Sequence, residues 1–129
     1  MKIEHCALYA KNINALKAFY ETYFGAEAGD FYYNPRTALK TCFLSFDGGA
    51  RLELMTRPEV FSFADARPGM QPGYAHMAFG VGPEAQVDAL TARLQNDGYE
   101  VVSAPRQTGD GYYESCVLDP EGNRIEITV

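Results

Sequence analysis

One stretch decides how this chain is organised: PGYAHMAFGV, residues 72–81. It predicts a short strand that is bounded by proline and glycine and carries one histidine, His76. The N-terminal stretch MKIEHCALY, residues 1–9, has the same character and carries the only other histidine, His5. The chain therefore looks like two copies of one unit, and a repeat of this kind constrains the whole fold.

The ends of the two copies match as well. GARLEL at 49–54 aligns with GNRIEI at 122–127, so Glu53 and Glu126 occupy equivalent positions. Between its first and last strands, each copy shows a helical period followed by apolar runs typical of strands. The predicted helices span 12–24 and about 83–96, and the predicted strands span 26–33, 41–46, 51–55, 99–103, 112–118 and 124–129. We predict an α+β fold of two β-α-β-β-β units that pair to bury their sheets.

The length of 129 residues suits a single domain with a genuine core. Its expected parts are a first module at about 1–56, a linker at about 57–72 and a second module at about 73–129. The linker contains Pro58 and Pro68 and has no clear period, and we expect one short helical turn in it at 61–66. A further loop is expected at 104–111.

Composition excludes several classes of protein. The net charge of −6 without clustered Lys and Arg argues against a nucleic-acid surface. No segment of this sequence is long and apolar enough to cross a membrane, and residues 1–4 do not read as a basic and then apolar leader, so we expect no secretion signal. Cys6, Cys42 and Cys116 are odd in number and widely spaced, so we expect buried thiols rather than disulfides, and a cytoplasmic location.

Strand alternation points to a metal site. Because every second side chain faces the same way, Glu53 and Glu126 should point away from the aliphatic residues that meet the helices. If the units pair, that face becomes a shared cavity to which each unit supplies one histidine and one glutamate. Two neutral imidazoles and two carboxylates neutralise a divalent cation, and Zn, Ni, Co, Mn and Fe(II) all suit such a set.

Each of these residues also has an ordinary structural interpretation. A lone histidine in an apolar strand is more often a hydrogen-bonded core residue, and a lone glutamate near a C-terminus is usually just solvated. The joint pattern favours ligation, because both histidines and both glutamates sit at matching positions of the repeat.

Over its whole length the chain resembles the vicinal oxygen chelate superfamily, which includes glyoxalase I, bleomycin-resistance proteins and extradiol dioxygenases. The resemblance is carried by IEH at 3–5, FYETYFG at 19–25, RLEL at 51–54, YAHMAF at 74–79 and DPEGNRIE at 119–126. It implies two βαβββ modules that pair into a curled mixed sheet around a central cavity, with the helices on the outer face. It also implies a homodimer.

The ligand set resembles that of the glyoxalase I group, which has His or Gln, Glu, His and Glu where this chain has His5, Glu53, His76 and Glu126. This implies a metal-dependent lyase or isomerase, similar to lactoylglutathione lyase, that moves a proton beside the carbonyl of a small substrate. Glu126 would be the catalytic base, with Glu53 second. The alternatives are a metal-free binding protein of the bleomycin-resistance type and, less favoured, a dioxygenase, which uses two His and one Glu.

Two positions depart from the glyoxalase I pattern. Tyr9 stands four positions after the first ligand, where a basic residue helps to bind glutathione, and Arg57 stands four after Glu53, where an amide is usual. Both are candidate substrate-binding residues, although ordinary aromatic packing explains Tyr9 equally well. The two differences argue against a glutathione hemithioacetal as the substrate.

Overall fold

The computed structural model of the chain describes residues 3–60 and 74–129. The chain divides into two compact units, residues 1–65 and 66–129. The helical turn predicted at 61–66 and most of the predicted linker lie outside the described residues, so the module boundaries stay a prediction. Within the described ranges, no helix is long and apolar enough to cross a membrane.

The first unit is a mixed sheet that carries one helix. Its first and last strands pair in parallel. The last strand also pairs antiparallel with the strand that precedes it in the sequence, so it lies inside the sheet rather than at an edge. The elements are β1 (His5–Tyr9), α1 (Ile13–Phe24), β2 (Glu27–Ala28), β3 (Tyr32–Asn34), β4 (Leu39–Ser45) and β5 (Arg51–Thr56). The strand order is β1-β5-β4-β2, and β3 also pairs with β4.

Helix α1 confirms the prediction at 12–24, and its ends have clear causes. The Asn12 side chain accepts a hydrogen bond from the backbone N–H of Ala15 at 3.0 Å, which caps the first turn. Gly25 ends the helix in the left-handed conformation, with φ 63°. The buried stripe packs toward β5 and consists of Ile13, Leu16, Phe19 and Tyr20.

The prediction of a single second strand at 26–33 is wrong in one respect, because the structure divides this segment into β2 and β3. Both segments pair with β4, yet four steps from Ala28 to Tyr32 oppose three steps from Leu44 to Thr41. One extra residue is therefore accommodated at 29–31, as in a β-bulge. Gly29 and Asp30 favour the interruption, because both are depleted in regular strands.

The second unit repeats the first in order and direction. Its first strand again lies parallel to its last, and the strand order is β6-β9-β8-β7. The elements are β6 (Met77–Gly80), α2 (Glu84–Asn96), β7 (Val101–Gln107), β8 (Tyr113–Leu118) and β9 (Arg124–Thr128). The α+β class and the two-module organisation predicted from the sequence are confirmed.

Two predicted boundaries in this unit are wrong. The first strand begins only at Met77, so His76 lies just before it rather than inside it. Strand β7 continues through Pro105 to Gln107, where a loop was predicted at 104–111. Proline is tolerated there because β7 is an edge strand, and its pairing with β8 is irregular between Ser103 and Arg106.

The three cysteines do not share one environment. Cys42 and Cys116 are buried as predicted, whereas Cys6 is exposed. The prediction for Cys6 is wrong because β1 is an edge strand, hydrogen-bonded only to β5 among the described strands, and little covers it. Burial raises the pKa of the Cys42 and Cys116 thiols, which lowers the fraction present as reactive thiolate.

We expect a thiol-alkylating reagent near neutral pH to modify Cys6 at least about tenfold faster than Cys42 or Cys116, because the two buried thiols are both inaccessible and harder to ionise. Mass spectrometry of a labelling time course measures the three rates. Denaturant is the control, since unfolding should make them similar. Rapid modification of Cys42 in the folded protein would contradict this expectation.

Candidate functional site

Strands β5 and β9 sort their side chains by alternation. Leu52, Leu54, Ile125 and Ile127 are buried on one face of their respective sheets. Between them, Glu53 and Glu126 point to the other face, where 17% and 22% of their side chains are exposed. Each glutamate is therefore largely enclosed but reachable by a small molecule or an ion.

In the first unit the parallel pairing of β1 with β5 brings a histidine to the glutamate. Ala7 lies directly opposite Glu53, and His5 lies two residues earlier on the same face of β1. His5 Nε2 is 3.8 Å from Glu53 Oε2, and 40% of the His5 side chain is exposed. The imidazole ring also makes a T-shaped contact with the Phe43 ring, with the ring centroids 5.4 Å apart.

The second unit reproduces this arrangement. His76 Nε2 is 3.1 Å from Glu126 Oε2, and 43% of the His76 side chain is exposed. Ala78 lies directly opposite Glu126, as Ala7 lies opposite Glu53. In both units a small side chain beside the glutamate leaves room for the imidazole to approach it.

Both pairs fit a divalent metal in donor chemistry, and the His76–Glu126 pair also fits in spacing. Two ligand atoms at about 2.1 Å from one ion, separated by a tetrahedral or right angle, lie about 3.0–3.4 Å apart. The His76–Glu126 distance falls within that range, and the His5–Glu53 distance exceeds it slightly. Among the described residues, no group of three or more His, Cys, Asp or Glu side chains is arranged to hold a metal ion. That the two pairs share one ion stays a prediction.

One site residue was missed by sequence reasoning. Glu4 Oε2 contacts His5 Nδ1, on the side of the ring away from Glu53, and Arg51 Nε donates to Glu4 Oε1 at 2.9 Å. Contact with the imidazole, and then with the guanidinium, holds the pKa of the Glu4 carboxyl below its usual value. The sequence held one signal for this contact. Glu4 and Arg51 carry opposite charges, and they stand at or just before the starts of two strands that pair with each other.

The two predicted substrate residues lie in the first unit. Tyr9 is 53% exposed and ends β1, on the same face as His5. Arg57 directly follows β5, and its Nε is enclosed without a hydrogen-bond partner among the described residues. An enclosed cationic N–H without an acceptor is costly, so Arg57 is suited to meet an oxygen atom of a ligand.

Comparison with known proteins identifies the family. Residues 2–127 match the model of the Glyoxalase/Bleomycin resistance protein/Dioxygenase superfamily, so the chain belongs to that superfamily. The uncharacterized protein PA2024 of Pseudomonas aeruginosa is 30% identical over 135 residues, an alignment that covers 98% of this chain and 86% of that protein. The resemblance stated from the motifs is thereby confirmed.

Solved structures agree on the fold. Glyoxalase I from Zea mays superposes with a TM-score of 0.80 at 18% identity, and the match covers 98% of this chain but only 44% of the maize chain. The glyoxalase family protein from Enterococcus faecalis gives a TM-score of 0.79 at 26% identity over 99% and 97% of the two chains. Lactoylglutathione lyase from Agrobacterium tumefaciens gives 0.67 at 26% identity over 98% and 91%.

Proposed function

We propose that this protein is a metal-dependent lyase or isomerase that moves a proton beside the carbonyl of a small oxygenated substrate. One observation carries the proposal: at equivalent positions of the repeat, a histidine Nε2 and a glutamate Oε2 approach each other to 3.8 and 3.1 Å. The similarity to lactoylglutathione lyase from Agrobacterium tumefaciens supports this class of reaction. The homodimer expected from the resemblance belongs to the same proposal.

In this proposal His5, Glu53, His76 and Glu126 together hold one divalent ion. The four side chains suit Zn, Ni, Co, Mn or Fe(II), because two carboxylates balance the charge and two neutral imidazoles complete the set. When bound, such an ion supplies a Lewis acid that stabilises the negative charge developing on a substrate oxygen. Partial enclosure of both glutamates strengthens their interaction with a cation by limiting its hydration.

The chain's own residues would handle the proton and the substrate. Glu126 is the proposed base, which takes a proton from one carbon and returns it to the neighbouring carbon, and Glu53 is the second candidate. Arg57 would donate its enclosed Nε–H to a substrate oxygen. Tyr9, exposed on the histidine face of β1, would contact the rest of the substrate.

The test combines metal content with proton exchange. The purified protein is loaded in turn with each of the five metals, and its stoichiometry is measured by elemental analysis. Small α-hydroxycarbonyl compounds and methylglyoxal–thiol adducts are then incubated with it in heavy water, and deuterium incorporation is followed by NMR. We expect stoichiometric metal, exchange with at least one carbonyl compound, and weak activity with methylglyoxal and glutathione, because Tyr9 and Arg57 replace the glutathione-binding types.

Two matched variants distinguish the loss of the catalytic base from the general effect of removing one negative charge. Glu126→Gln should lower the exchange rate by about 100-fold or more, because it removes a general base. Glu100→Gln makes the same charge change at an exposed position of the same unit and should leave the rate unchanged. A protein without stoichiometric metal and without exchange would instead be a binding protein of the bleomycin-resistance type.

A further inference from the structure

The contacts of Glu4 join two parts of the first unit. Its Oε2 meets His5 Nδ1, while its Oε1 accepts from Arg51 Nε at 2.9 Å and also contacts the Nη2 of Arg51. The backbone carbonyl of Glu4 accepts from the Arg51 N–H at 3.0 Å, which anchors the start of β1 to the start of β5. Glu4 is thus held by main chain and side chain together.

Arg51 is itself fixed from a second side. Its guanidinium carbon lies 4.2 Å from the centroid of the Phe43 ring, in a cation–π contact. The same Phe43 ring makes a T-shaped contact with the His5 ring, at an interplanar angle of 85°. Glu4, Arg51, Phe43 and His5 therefore form a closed ring of contacts, which restricts the rotation of the imidazole.

The chemistry of this contact selects one form of the histidine. An ionised carboxylate only accepts hydrogen bonds, so a neutral His5 must carry its proton on Nδ1 to satisfy Glu4. The other ring nitrogen, Nε2, then has a free lone pair, and it is the nitrogen nearer to Glu53. A carboxylate behind a metal-binding histidine acts in this way in many metal sites.

We propose that Glu4 is a positioning residue that fixes the Nδ1–H tautomer of His5 and presents Nε2 to the metal. The proposal rests on the proposed function in one respect, which is that His5 is a ligand. The second unit lacks this arrangement. Ala75 precedes His76, and no acidic residue of the described chain contacts His76 Nδ1, although Arg124 stands at the position equivalent to Arg51. Among the described residues, a carboxylate thus contacts Nδ1 of His5 but not Nδ1 of His76.

The tautomer is measured on the metal-free protein. Because the chain has two histidines, the nitrogen-15 shifts of both imidazoles are resolved at about pH 8.5, well above the ordinary imidazole pKa of about 6.5. A His76→Ala variant assigns the signals. We expect His5 to carry its proton on Nδ1 in the wild type and to shift toward the Nε2–H form in Glu4→Ala. An unchanged His5 tautomer in Glu4→Ala would overturn the proposal.

Metal affinity gives the second measurement. We expect Glu4→Ala to weaken Zn²⁺ and Ni²⁺ binding by about 10–100-fold, the usual effect of losing such a partner. Glu4→Gln, which keeps an acceptor oxygen, should recover part of the loss. Glu27→Gln at an exposed position of the same unit is the matched control for charge. Ala75→Glu adds the missing carboxylate to the second unit and should move His76 toward the Nδ1–H form.

The outcomes separate this proposal from the proposed function. A tautomer shift in Glu4→Ala together with weaker metal binding supports it, and a tautomer shift with unchanged affinity overturns the positioning role. If the wild type binds neither metal, the proposed function fails, while the nitrogen-15 shifts still decide whether Glu4 fixes the tautomer. Thermal unfolding of each variant verifies that the exposed substitution leaves the fold intact.

Discussion

Replacing His76 with alanine should weaken the binding of Zn²⁺ or Ni²⁺ by about 100-fold or more, beyond the loss typical of a supporting residue. The substitution removes one imidazole nitrogen from the set and leaves the Glu126 carboxylate, which lies 3.1 Å from that nitrogen, with one partner fewer. His5→Ala should have a comparable effect, because His5 is the equivalent residue of the first unit. Isothermal titration of the metal-free protein measures both affinities.

Stoichiometry distinguishes one shared site from two separate ones. If both histidine–glutamate pairs hold the same ion, the wild type binds one ion per chain, and the His5→Ala/His76→Ala double variant binds none. If each pair binds its own ion, the wild type binds two and each single variant retains one. Gln86→Ala, an exposed change on α2 of the second unit, is the control and should alter neither number. An affinity unaffected by His76→Ala would exclude that residue as a ligand.

Replacing Asp119 with alanine should lower the free energy of unfolding by about 2–4 kcal/mol, because three partly buried donors then lose a charged acceptor. Asp119 is only 4% exposed. Its Oδ1 accepts from the backbone N–H groups of Glu121 and Asn123, both at 2.9 Å, and its Oδ2 accepts from the Asn123 side chain at 2.9 Å. These bonds fix the turn that leads into β9, the strand of Glu126. Urea unfolding followed by circular dichroism measures the change.

The first unit offers a matched control for this prediction. Asp47 lies in the turn between β4 and β5 and is exposed. We expect Asp47→Ala to change the free energy of unfolding by no more than about 0.5 kcal/mol, as is usual for surface substitutions. Equal losses in the two variants would show that the hydrogen bonds of Asp119 add nothing particular to stability.

The parts of the fold that could be predicted follow from short-range rules. The period-two pattern of β5 and β9 places Glu53 and Glu126 opposite the buried aliphatic residues, and this pattern is visible in four or five consecutive letters. The repeat then transfers each inference from one copy to the other. The helix at Ile13–Phe24 was equally accessible, since its stripe, its cap and its terminating glycine all agree.

The parts that could not be predicted depend on tertiary context. Alternation alone places Glu4 on the face opposite His5, but Glu4 lies before β1, where strand alternation does not apply, and Arg51 draws its carboxylate toward the imidazole. Similarly, Pro105 indicates a loop by local rules, and only its place in an edge strand permits β7 to continue. Local propensity cannot reveal which neighbours a strand will have.

The parallel contact between the first and last strands of each unit has a consequence for the order of folding. His5 and Glu53 lie far apart in the sequence of the first unit, as do His76 and Glu126 in the second, so each pair meets only when a long intervening segment is closed into a loop. Contacts between residues far apart in sequence form slowly, because chain closure costs entropy before pairing compensates for it. We therefore expect the imidazole and the carboxylate of each pair to stay apart in nascent or partly folded chains. Metal binding should then appear only late in the folding of each unit.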